Sequence, residues 1–197
     1  MKDMSIAEFA GATASGNPVP GGGSVAALCG GLAAALVEMV ANLTEDNEMM
    51  TEIRSRMSIA RENLLDLIEK DSRAFTEVME AYRLPKTNPD EKKFRTKAIE
   101  DSLVNAAKIP METAEQALDI MQFSREVVEN GNQNAVTDGM VSAMMARTAV
   151  LASLLNVRTN LSSIRDRDFA EVMLRKAVEM EEACSLAEKQ ILASVKI

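Results

Sequence analysis

Asp71 stands where helix geometry asks for an apolar side chain. From about Glu48 to Tyr82 apolar residues recur every three and four positions. One heptad stripe reads Met57, Leu64, Asp71, Val78, beside a second of Ile53, Ala60, Leu67, Ala74 and Ala81. A carboxylate on such a face costs free energy unless it is paired, hydrogen-bonded or part of a site. Two readings follow. Asp71 is either half of a buried ion pair with a Lys or Arg of a facing helix, or a carboxyl of raised pKa that handles protons. The chain contains no histidine, so the commonest general base and zinc ligand are both missing. Proton chemistry falls to Asp, Glu, Lys, Tyr or Cys, and no metal site is expected.

Two further stretches bear on the choice. After "GNQN", Asp138, Ser142, Met145, Ala149, Ala152 and Asn156 share one face of a helix, with Arg147 and Arg158 on the opposite side. Considered alone, Asp138 is a first-turn acid that stabilises its helix. The other stretch is "PVPGGGSVAALCGGLAAALVEMVANLT", residues 18–44. It lacks the Lys and the preceding strand of a phosphate loop. Its Gly and Ala content, with Glu38 inside, argues against a membrane span. Structurally, Gly21, Gly22 and Gly23 make a flexible turn with scope for positive φ, and Ser24 caps a helix running to about Glu45. Gly30, Gly31, Ala33, Ala34 and Ala35 then admit a close neighbour. Functionally, a helix N-terminus behind glycines offers free N–H groups to a polar or anionic ligand. Spacing alone favours the structural role.

The elements that must position these residues are helices. A short one fits "SIAEFAGATAS". Longer ones fit about 48–82, then from Asn88–Pro89 to about Lys108, where Pro110 ends or kinks the pattern before it continues toward Asn130. A long helix follows from about Val136 to Leu161, and a last one starts at Asp166 or Asp168. No strand pattern, repeat or long linker interrupts them. The chain of 197 residues is therefore read as one all-α domain, an up-and-down bundle of long antiparallel helices. Aromatics are only 3 % and Met numbers 14, so small aliphatic residues and Met, including Met140, Met144, Met145, Met173 and Met180, must fill the core. A net charge of −8 argues against a broad nucleic-acid surface. Cys29 and Cys184 read as reduced buried thiols of a cytoplasmic protein, and "MKDMSIAEFA" lacks the pattern of a signal peptide. A core so poor in aromatics gains from burying a further helical face, which points to a homodimer.

Taken in order, several segments resemble one family. They are "PVPGGGSVAAL" with "MVANLT", "DSRAF" at 71–75, "YRLPK" followed by "DEKKFRT", "KIPMETA", "GNQNAVTD" at 131–138 and "LNVRTNL" at 155–161. Together they span nearly the whole chain. They resemble the cyclodeaminase/cyclohydrolase family: the C-terminal domain of formimidoyltransferase-cyclodeaminase and the free-standing methenyltetrahydrofolate cyclohydrolases. The resemblance implies a homodimer of long helices with a folate groove near the glycine turn. It implies a tetrahydrofolate derivative as substrate and no metal or redox cofactor. It places Asp71 and Asp138 as catalytic carboxyls, with Gly21, Gly22, Gly23, Ser24, Lys86, Asn132, Asn156 and Asn160 binding substrate. One departure stands out. Where the family commonly has a Gly and a short basic–aromatic run after "NLT", this chain has the shorter, acidic "EDNEMMTEIR", which has lost cations that could meet a folate glutamate tail.

Overall fold

The computed structural model describes residues 1–195. They form α1 (Ile6–Thr13), α2 (Gly22–Asn42), α3 (Glu48–Arg83), α4 (Pro89–Asn130), α5 (Val136–Leu161) and α6 (Arg167–Ala193), with a 3-10 turn at Gln133–Ala135 before α5. Local chemistry sets most of the starts. Ser5 and Glu8 form a capping box on α1. The side chains of Asn47, Asn88 and Asp166 accept from Met50, Glu91 and Phe169 N–H at the heads of α3, α4 and α6. The head of α2 differs from expectation: the N-cap is Gly21, which has no side chain to offer, and Ser24 lies buried inside the helix.

Side-chain contacts show the helices running antiparallel in sequence order. Between α2 and α3, Ser24 meets Asp71 at one end, while Glu38 meets Arg61 and the Ala41 carbonyl meets Arg54 toward the other. Between α5 and α6, Arg158 pairs with Glu181 and Arg147 with Glu188. At the centre is α2, which packs on α3, α4 and α5. A Cβ on Gly30 would come 3.1 Å from Leu64 of α3 and 3.6 Å from Ala149 of α5, so both neighbours approach α2 at that point. The segments Gly22–Asn42 and Gln133–Leu161 are long and apolar enough to cross a membrane, but here their apolar residues build the bundle core. The core also holds serines. Ser142 Oγ donates to the Ala33 carbonyl at 2.9 Å and lies 2.9 Å from Ser124 Oγ, tying α2, α4 and α5 together. Met180 is buried, whereas Met144 is 44 % exposed and fills no core.

The expected break at Pro110 does not occur, and α4 runs through it. Proline has no N–H, so the carbonyl of Ala106, four residues earlier, loses its helical donor. Asn160 Nδ2 of α5 donates to that carbonyl at 2.7 Å. A side chain from the next helix replaces the missing backbone bond.

Candidate active site

Around the head of α2 the chain builds a cleft of about 280 Å³. Its walls are Val19 and Gly21–Gly23 from the α2 entry, Asp71, Phe75 and Val78 from α3, Ala106 from α4, and Asn156 and Asn160 from α5. Asp71, Phe75 and Val78 are spaced i, i+4, i+7, so one face of α3 presents all of them.

The glycines serve by their size. None has a positive φ, and Gly21 is extended at φ −115°, ψ −162°, which corrects the expectation of a left-handed turn. A Cβ on Gly23 would sit 2.6 Å from Asp71 Cγ, inside van der Waals contact. One on Gly22 would meet only Asn156 Nδ2, at an ordinary 3.7 Å. Gly23 is therefore the residue that lets α3 bring its carboxylate against the first turn of α2.

Asp71 is half-buried and meets no Lys or Arg among the described residues; its partner is Ser24, whose Oγ donates to Oδ2 at 2.9 Å. Ser24 Oγ also lies 3.2 Å from Ser72 Oγ, behind the carboxylate. Burial pushes the Asp71 carboxyl above the usual carboxylate range, and the Ser24 hydroxyl and N–H pull it part of the way back. The ion-pair reading of Asp71 falls, because no cation among the described residues faces it. What remains is an acid whose protonated form is favoured by desolvation, open to a cleft on one side and held by hydroxyls on the other.

Seven of the expected site residues meet here: Gly21, Gly22, Gly23, Ser24, Asp71, Asn156 and Asn160. Asn156 Nδ2 is bound to the Ala152 carbonyl, and Asn160 Nδ2 to Ala106. Three residues lie elsewhere in the chain. Lys86 is exposed in the α3–α4 connection. Asn132 clasps the end of α2: its N–H donates to Thr44 Oγ1 at 2.9 Å and its Nδ2 to the Leu43 carbonyl at 2.8 Å. Asp138 sits in the first turn of α5, about 27 Å of helix rise from Asn156. The acidic connection after Thr44 is likewise at the far end of α2. A larger hollow of about 670 Å³ runs beside Lys92, Lys93, Lys97 and Arg165. Those lysines are exposed, and the half-buried acid there, Glu100, already accepts from the Arg165 and Asp166 N–H groups, which leaves the Asp71 cleft as the candidate for proton chemistry. Sequence reading did not single out Phe75 or Val78 as cleft walls. The available signal was their spacing from Asp71 on one helical face.

Comparison with known proteins agrees with this architecture. The chain is 32 % identical to the methenyltetrahydrofolate cyclohydrolase of Methylorubrum extorquens, covering 97 % of this chain and 95 % of that protein. It is 32 % identical to the rat formimidoyltransferase-cyclodeaminase over 86 % of this chain, but spans only 32 % of that longer protein. The crystal structure of a formiminotetrahydrofolate cyclodeaminase from Thermotoga maritima superposes with a TM-score of 0.83 at 30 % identity, over 98 % of both chains. The formiminotransferase-cyclodeaminase profile matches residues 5–179, which take in the whole Asp71 cleft, and the chain belongs to that family.

Proposed function

We propose that the protein is a folate one-carbon enzyme that makes or consumes 5,10-methenyltetrahydrofolate, with Asp71 moving the proton. The observation that carries this reading is the Asp71 carboxyl itself: half-buried, without a cation, raised in pKa, and facing a cleft beside Phe75. Both candidate reactions pass through one tetrahedral carbon between N5 and N10 of the folate. In cyclodeamination N10 bonds to the formimidoyl carbon and gives up its proton to the imino nitrogen. The carbon–nitrogen bond to that amino group then breaks, and Asp71 supplies the proton with which it leaves as ammonia. In the cyclohydrolase direction water bonds to the methenyl carbon and the Asp71 carboxylate takes one of its protons; the bond from that carbon to N5 then breaks, the remaining hydroxyl proton passes to N5, and the ring opens to 10-formyltetrahydrofolate. A carboxyl whose pKa is raised by burial suits both, because the shift favours the protonated donor and makes the carboxylate a better acceptor. Phe75 offers an apolar wall to a flat ring, and the amide oxygen of Asn156 is free to accept from it.

The test is direct. Purified protein is incubated with each folate while methenyl absorbance and ammonia are followed. Methenyl formation with ammonia release assigns the cyclodeaminase. Methenyl loss above the buffer rate assigns the cyclohydrolase. Folate binding with neither change would overturn the enzymatic reading in favour of a folate-binding helical protein.

A further inference from the structure

On the side of Asp71 away from the cleft the chain buries two hydroxyls. Ser24 is fully buried and Ser72 is 5 % exposed. A helical serine can turn its hydroxyl back to the carbonyl four residues earlier, as Ser124 does with Ile120. Ser24 and Ser72 instead bond across elements. Asp71 Oδ2 lies 2.9 Å from Ser24 Oγ, Ser24 Oγ lies 3.2 Å from Ser72 Oγ, and Ser72 Oγ lies 3.2 Å from Met1 Sδ. Polar atoms from α2, α3 and the segment before α1 thus form one row that ends in a thioether.

The protons in this row can run either way. Each hydroxyl carries one proton and also accepts, whereas a thioether only accepts, and weakly. With Asp71 ionised, Ser72 donates to Ser24 and Ser24 donates to Oδ2. With Asp71 protonated at Oδ2 the order reverses: Oδ2–H donates to Ser24, Ser24 to Ser72, and Ser72 to Met1 Sδ. Only the reversed order needs an acceptor at the end of the row, and Met1 Sδ supplies it. No proton changes oxygen in the reversal; the two hydroxyls rotate. A buried O–H without an acceptor is costly, and neither order leaves one.

Other charges leave the row alone. Among the described residues, Asp71 is the one charged group lining the cleft from α2, α3, α4 or α5. The Met1 amino group and Lys2 pair with Glu69 and Asp66 of α3. Lys70 faces Glu112 of α4, and Arg73 is exposed.

We propose that Ser72 is a positioning residue for Asp71: its hydroxyl, backed by the Met1 thioether, lets Ser24 donate to the carboxylate and accept from the acid, so that Asp71 keeps its proton on Oδ2 between turnovers. Rotation of the carboxyl about its roughly two-fold Cβ–Cγ bond then presents that proton to the cleft. The part this plays in turnover rests on the proposed function, whereas the protonation equilibrium of Asp71 is measured without substrate.

The experiment titrates the carboxyl by carbon NMR in aspartate-labelled protein, with its signal identified by its loss in Asp71→Asn. Ser24→Ala removes the donor to the carboxylate, so the midpoint should move up. Ser72→Ala keeps that donor and removes the acceptor that the acid needs, so the midpoint should move down. Each protonation constant should change by about threefold to tenfold, the worth of one neutral hydrogen bond. Opposite signs mark the relay, because a site merely loosened and wetted would move both midpoints the same way. The limb of the pH–rate profile that reports Asp71 should follow the same two directions. A Ser72→Ala midpoint that rises or stays at the wild-type value, with helix content unchanged, would overturn the proposal. If Ser72→Ala loses its helix content, Ser72→Cys takes its place with the same expected direction, since it keeps the size and only a weak acceptor. A protein that shows both shifts but turns over neither folate would overturn the enzymatic reading alone.

Discussion

At Asp71 a carboxylate is held against the first turn of a helix with only hydroxyl and backbone donors for company. Asp71→Asn keeps the shape and can still bond Ser24, so the fold should survive. Turnover should fall by about 10²–10⁴, the usual cost of losing a general acid or base. The stability effect has a definite sign. Burial raises the carboxyl's pKa in the folded state, so its contribution to stability is fully present below the unfolded value and is lost as pH rises through the folded one. The Asn variant should therefore melt higher than wild type near neutral pH. That gain should vanish below about pH 4, where the unfolded carboxyl is also protonated. Melting curves across this range check it. Gly23 is the second decisive residue. Gly23→Ala forces the Asp71 carboxylate aside and should cost about 10²-fold in turnover, the scale of an ångström's misplacement. Gly22→Ala has room and should remain near the wild-type rate, which steady-state kinetics on the pair will show.

The informative element is α4. It continues through Pro110 because Asn160 of α5 supplies the donor that proline removed. One bond thus keeps α4 helical and fixes α5 beside the cleft. Asn160→Ala leaves a buried carbonyl without a partner and should destabilise the protein by about 1–3 kcal/mol. In a Pro110→Ala background the backbone N–H returns to Ala106, so the same substitution should cost less by about 1 kcal/mol or more. Denaturant unfolding of the two single variants and the double variant measures this coupling. If the costs simply add, the side chain is not standing in for the backbone.

For the whole molecule, the question is what covers α2. The sequence points to a homodimer, and Leu32, exposed midway along the apolar α2, is where a partner would cover it; Leu32→Glu would bury a carboxylate in that contact, where unmatched charge costs several kcal/mol. Dimer affinity should weaken by about 10²-fold or more. Sedimentation velocity over a range of concentration measures it. A dimer that persists unchanged would place the contact elsewhere.

Much of this molecule follows from local sequence. Asn47, Asn88 and Asp166 mark where helices begin, and the stripes through Met57, Leu64, Ile53 and Leu67 mark what they bury. These signals act within a few residues of chain, and so the all-α bundle is legible without coordinates. Asp71 is legible for the same reason, as a charge on an apolar stripe. Tertiary packing decided what local rules cannot reach. Ser24 reads as a cap, yet its hydroxyl serves a carboxylate on another helix because Gly23 lets that helix come close. Pro110 reads as a break, yet the helix continues because a donor arrives from α5. Asp71 and Asp138 both read as site carboxyls, yet helix length sets them at opposite ends of α2 in one chain. Periodicity shows which face of a helix is apolar, while the distance between two faces depends on how the helices pack.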